Sequence, residues 1–150
     1  MTAKHPLPGI SITQAMIDEY ARLSGDFNPL HVDVEAAART AFGGTIAHGC
    51  IPMEPIFKAV QAMTAMPVVP AGSRMSLRYL RPSRPGDTIR LELENDDAGS
   101  GGGDIVFACV NQRGEKVIEG RCTLAAGVAV RSHDAQARID QSPAFTTRRT

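Results

Sequence analysis

Two short stretches of this chain concentrate side chains that can move protons or hold a polar ligand. The first, Ser24-Gly25-Asp26-Phe27-Asn28-Pro29-Leu30-His31, places an aspartate and a histidine on either side of a proline. The second, Phe42-Gly43-Gly44-Thr45-Ile46-Ala47-His48-Gly49, carries another histidine to the threshold of the most apolar segment. A turn at Pro29 can lay Asp26 and His31 side by side, and such a pair suits general acid-base work on one shared water. Their unperturbed pKa values, about 3.9 and about 6.5, bracket a site that takes a proton and returns one near neutral pH. Asn28 can fix the pair or the water. Because His48-Gly49 stands where the chain enters the apolar segment, the Gly49 N–H can project outward from a helix N-terminus as an oxyanion-type donor. Carbonyl activation is the chemistry that needs such a donor.

Plainer readings compete with each of these. Asp, Asn and Pro are common turn formers, and His48 could equally be a buried histidine bonded to backbone. Asp26, His31, Asp33 and His48 could form a mixed nitrogen and oxygen metal site, yet their spacing follows no established ligand pattern, so no metal is expected. Cys50, next to Gly49, could be a nucleophile; a buried thiol within an apolar helix is the expectation.

The elements that must position these residues can be read from periodicity. Gly9 to Ile12 can form a short strand, and Thr13 can cap a helix ending near Ser24. Met16, Tyr20 and Leu23, with Ile17 and Ala21, give that helix one apolar stripe against a wet face of Gln14, Asp18, Glu19 and Arg22. Asp26 to His31, broken by Gly25 and Pro29, is expected to be a loop. Asp33 can cap a short Ala-rich helix, with Val34, Ala37, Ala38 and Ala41 on one face and Gly43-Gly44 ending it. Cys50 to Met66 reads as a core helix whose single exposed stripe carries Glu54 and Lys58. Pro55 would remove an interior hydrogen bond if that helix began at Gly49, so it must start late or kink. Beyond Gly72 the period changes to 2. Met75-Leu77-Tyr79 and Ile89-Leu91-Leu93 alternate with polar residues, and the second strand is expected to return antiparallel beside the first. Residues 105–110 and 117–124 form a further pair across Asn111 to Glu115, after a Gly-rich loop at 96–103 that is expected to be flexible.

Length and charge narrow the function classes. The 150 residues suit one domain, expected over 1–128, followed by a polar tail over 129–150 expected to be disordered. Lys and Arg balance Asp and Glu at 16 each, so no global field draws nucleic acid or anionic lipid, and a small, weakly charged partner is expected. Three cysteines in no zinc or disulfide pattern read as reduced thiols. Neither a secretory h-region nor an apolar run of membrane-spanning length stands in the sequence, so a cytoplasmic protein is expected.

The two motifs together, YARLSGDFNPLHVD and TAFGGTIAHG, resemble the hydratase motif of the MaoC-like dehydratases, the R-specific enoyl-CoA hydratases, and the likeness extends through RYLRPSRPGDTI to cover roughly residues 8–126. The chain departs from the family at Pro52-Met53-Glu54-Pro55. The resemblance implies an α+β hotdog fold, in which an antiparallel five-stranded sheet wraps a long central helix, and a homodimer whose sheets join edge to edge. It further implies reversible hydration of a trans-2-enoyl thioester, with Asp26 and His31 holding the water. Gly49 would donate its amide to the thioester carbonyl, and Asn28 and His48 would support the substrate site. No cofactor is implied; CoA or an acyl carrier protein is the substrate's own carrier. Arg78, Arg81 and Arg84 are candidates for the carrier's phosphates, outside the core site. A hotdog thioesterase and a non-catalytic acyl-thioester-binding subunit are the alternatives.

Overall fold

The computed structural model describes residues 9–94 and 104–130, so the Gly-rich loop expected at 96–103 and the tail beyond residue 130 lie outside the described residues. The chain opens with a two-residue strand β1 (Ile10–Ser11) and helix α1 (Gln14–Ser24). Thr13 caps α1 by accepting from the Met16 N–H, and Gly25, at φ 79°, ends it in the left-handed region that glycine enters without strain. Ile17 and Ala21 turn inward from this helix. Two one-turn helices follow, α2 (Pro29–Val32) and α3 (Val34–Ala38), capped by Asn28 and Asp33. The second half of the expected loop at Asp26 to His31 is thus helical, the start of α2, because Asn28 supplies the cap and Pro29 fits the first helical position. Helix α3 stops at Ala38, short of Ala41.

A 3₁₀ turn over Ile51–Met53 leads into helix α4 (Glu54–Thr64). The late start settles the proline problem: Pro55 falls in the first turn of α4, where its missing N–H costs no hydrogen bond. Ile56, Ala59, Val60 and Met63 bury one face of α4, while Glu54 and Lys58 pair on the other.

Four strands complete the sheet: β2 (Arg74–Tyr79), β3 (Thr88–Leu93), β4 (Asp104–Val110) and β5 (Lys116–Thr123). Their order is β1-β3-β4-β5-β2, with antiparallel pairing throughout. Here the pairing of β2 with β3 expected from the sequence is corrected, since β2 lies on β5 at the opposite edge. The intervening segment explains the separation. At its start the Leu80 N–H still donates to Val117 of β5, whereas at its end the Gly86 N–H donates to Ile12 and Asp87 accepts from the Ile12 N–H. Residues 80–87 therefore carry the chain across the molecule from one sheet edge to the other.

The sheet curves around α4, whose buried side chains meet Ile89, Leu91, Ile105 and Phe107 in one core. Gly120 of β5 lies opposite both Leu77 and Phe107, and any Cβ there would stand 2.5 Å from the Ser76 carbonyl oxygen and 2.9 Å from Phe107 Cζ. The missing side chain is what lets the Phe107 ring lie across the strand.

Candidate active site

Helix α1, the turn into α2 and the segment before the 3₁₀ turn converge on three polar side chains. Asp26 is half exposed, at 53%, whereas His31 and His48 are 14% and 3% exposed, and Nε2 of each histidine lies 3.9 Å from Asp26 Oδ2. The two rings stack, centroid to centroid at 3.9 Å. The ring of Tyr20 on α1 also meets that of His48, centroid to centroid at 4.7 Å and tilted by 46°.

Backbone carbonyls set both imidazoles. Ile46 O lies 2.8 Å from His31 Nδ1, and because a carbonyl only accepts, Nδ1 carries the proton. In the neutral ring Nε2 then presents its lone pair toward Asp26. By the same reasoning His48 Nε2–H donates to the Asp26 carbonyl oxygen at 2.9 Å, which makes His48 a brace on the backbone of Asp26. Its Nδ1 is buried without a partner among the described residues. At 3.9 Å, Asp26 Oδ2 and His31 Nε2 are too far apart for a direct hydrogen bond and close enough to share one water.

Asn28 caps α2, its Oδ1 accepting from the Leu30 N–H at 3.0 Å, while its own N–H donates to Asp26 Oδ1 at 3.2 Å. The cap that starts α2 thus also steadies the carboxylate, and Nδ2 is the end of Asn28 left to meet a bound molecule. Gly49 is exposed at the entrance to the 3₁₀ turn, and among the described residues nothing accepts from its N–H. An added Cβ at Gly49 would stand 2.6 Å from the Tyr79 hydroxyl, which itself donates to Met53 Sδ at 3.2 Å. Tyr79 therefore closes off the side of Gly49 on which a side chain would stand. Burial holds the Tyr79 phenol above its ordinary pKa, followed by the nearby Cys50 and Cys109, which keeps the hydroxyl protonated as a donor.

Cys50 is exposed, which corrects the expectation of a buried thiol: helix α4 starts only at Glu54, so Cys50 falls on its approach and outside the buried face. A hydrogen bond to the Cys50 side chain is the first cause, ahead of burial, that raises the Tyr20 phenol pKa. One ligand atom from each of Asp26, His31 and His48 lies within 4.8 Å of the others, a spacing a metal ion could use. His48 Nε2 is already committed to the Asp26 carbonyl, and Asp33 stands apart as the cap of α3, its Oδ1 accepting from Ala36. Arg78 pairs with Glu119 and Arg81 with Glu115, so two of the three arginines considered for carrier phosphates are engaged on the sheet surface.

Sequence reading missed the residues that tie these loops together. Gln14, assigned to the wet face of α1, bonds inward to Thr45 and to the His31 carbonyl. Ser83 O accepts from the Ala47 N–H at 2.8 Å, fastening the second loop to the turn that Asp87 holds through the Arg84 N–H. A polar residue one step after an N-cap gives no signal of its own, and backbone acceptors give none at all.

A family profile described as "MaoC like domain" matches residues 3–112. The chain is 34% identical over 86 residues to Protein MaoC of Klebsiella aerogenes, covering 57% of this chain and 26% of that protein. To the (R)-specific enoyl-CoA hydratase of Aeromonas caviae it is 34% identical over 82 residues, covering 53% of this chain and 59% of that one. In both cases the chain spans less than two thirds of the relative's length. Among solved structures, the unliganded R-hydratase PhaJ1 of Pseudomonas aeruginosa superposes with a TM-score of 0.63 at 29% identity, over 85% of this chain and 82% of that one. The five-stranded antiparallel sheet around α4 is the hotdog fold, and the chain belongs to the MaoC-like dehydratase domain family.

Proposed function

We propose that the chain is an R-specific enoyl-CoA hydratase, or 3-hydroxyacyl thioester dehydratase, that adds water reversibly to a trans-2-enoyl thioester. One observation carries the reading. Asp26 Oδ2 and His31 Nε2 stand 3.9 Å apart, and the bond from His31 Nδ1 to Ile46 O turns the basic edge of the ring toward the carboxylate. A water between them donates one hydrogen to each acceptor. As its oxygen bonds to Cβ, the pair takes one proton and a proton is delivered to Cα, so the carbon–carbon double bond becomes C–OH and C–H. Negative charge passes meanwhile to the thioester oxygen, where the Gly49 N–H is the donor. General acid-base catalysis of this kind contributes roughly 10²–10⁴-fold, and one preorganised amide donor roughly 10²–10³-fold. His48 acts through the Asp26 backbone and Asn28 through the α2 cap.

Hydration of crotonyl-CoA by the purified protein, beside folded Asp26→Asn and His31→Ala variants, tests the assignment. Each substitution is expected to lower kcat by roughly 10²-fold or more. Full activity in both variants, no hydration of any short, medium or branched enoyl thioester, or release of free thiol in place of hydration would each refute it.

A further inference from the structure

The Gln14 side chain sits between the two loops that build the site. Its Oε1 accepts from Thr45 Oγ1 at 2.6 Å, and its Nε2 donates to the His31 carbonyl at 2.8 Å and to Asp18 Oδ1 at 2.8 Å. Chemistry fixes this amide in one orientation. A carbonyl and a carboxylate only accept, so they require the NH₂ end, and the Thr45 hydroxyl is the group that can donate to the oxygen. Asp18, one turn along α1, thereby locks the amide's direction. Thr45 is buried, at 8% exposure, and is followed directly by Ile46, whose carbonyl sets the His31 ring and whose N–H donates to Leu30 O at 3.0 Å. Hydrogen bonds and chain links thus close a ring: Gln14, the His31 backbone, the His31 imidazole, the Ile46 carbonyl, Thr45 and back to Gln14.

Building on the hydratase reading, we infer that Gln14 is a positioning residue whose amide staples the Asp26–His31 loop to the Thr45–His48 loop and so sets the distance between His31 Nε2 and Asp26 Oδ2. Helix capping does not explain it, because Thr13 caps α1. Nor does solvation of a helix face, since all three contacts are intramolecular. The staple adds a side-chain link from α1 to the two bonds that already join these loops directly, His48 Nε2–H to Asp26 O and the Ile46 N–H to Leu30 O, and it is the one that ties both loops to a helix.

Gln14→Met keeps the length and helix propensity of the side chain and removes both bonds between the loops. Its kcat is expected to fall roughly 10- to 100-fold with KM unchanged within about twofold, as for a misplacement of the reacting groups on the ångström scale. In the same variant the His31 Nδ1–H proton signal, protected from exchange by the Ile46 carbonyl, should broaden or vanish in NMR spectra. Since one amide serves both contacts, Gln14→Met/Thr45→Val should be no slower than Gln14→Met alone. Thr45→Val replaces Gln14→Met as the primary variant if the latter does not fold. A lowered melting temperature with kcat retained, a loss confined to KM, or a kcat loss with the His31 proton signal unchanged overturns the inference. Wild-type protein and Asp26→Asn measured alongside separate its failure from that of the parent reading: if wild type hydrates nothing, the hydratase reading falls, and the His31 proton signal alone decides whether Gln14 sets the ring.

Discussion

Replacing Gly49 by alanine builds a methyl carbon 2.6 Å from the Tyr79 hydroxyl oxygen and 2.9 Å from Tyr79 Cζ, where ordinary contact begins at 3.4 Å. Roughly 0.8 Å must therefore be found between the two residues. Tyr79 is 53% exposed, but its backbone is held in β2 and its hydroxyl on Met53, so the ring cannot absorb the whole displacement without leaving the sulfur. Gly49 is the other half of the contact, and it follows directly on buried His48. Under the proposed mechanism, a shift of that size in the Gly49 amide is worth roughly 10²-fold in kcat. Stability should change by no more than about 1–2 kcal/mol, since the displacement is shared between two exposed residues, Gly49 and Tyr79. Steady-state hydration of crotonyl-CoA and urea denaturation of the same preparations measure the two quantities. The steric origin is isolated by Gly49→Ala/Tyr79→Ala, which should recover about tenfold or more relative to Gly49→Ala. If Gly49→Ala keeps kcat within about threefold of wild type, or the double variant recovers nothing, the amide is not aimed by this contact.

Two further outcomes follow from the packing. Gly120→Ala places a Cβ 2.5 Å from the Ser76 carbonyl and 2.9 Å from Phe107 Cζ, neither of which can swing aside, so urea denaturation should show a loss of roughly 3 kcal/mol or more. In the native protein at pH 8, a thiol reagent should label Cys50 rapidly; Cys109 and Cys122 should react only on unfolding, because burial pushes Cys109 up to about 12 and raises Cys122 as well. Rapid labelling of more than one thiol would contradict that core.

Signals that act over a few residues were legible in the sequence. The Thr13 cap, the Gly25 stop and the Glu54–Lys58 pair each involve neighbours within one helical turn and stand where the pattern placed them. So does the β4–β5 pair across its short turn. The helix begun by Asn28 escaped notice because a single turn is too short to show a period. Pairing of β2 failed differently: two alternating strands joined by a Pro-broken link look like a hairpin, and only long-range bonds from 80–87 to β5 and β1 reveal the crossing. At the site, Asp26, His31 and His48 were recognisable as chemical types, and the structure brings them together. Gln14 and Tyr79 were hidden because their partners lie 17 and 31 residues away for Gln14, and 26 for Tyr79.

The orientation of both histidines through backbone oxygens, Ile46 O for one and Asp26 O for the other, bears on how such a site can change through evolution. Any amino acid has a carbonyl, so the side chain at position 46 is free to follow the demands of packing without disturbing the His31 ring. Under the proposed hydratase reading, selection on ligand fit and selection on proton transfer would thereby be uncoupled at that residue, and variation there could reshape preference while leaving the reaction intact.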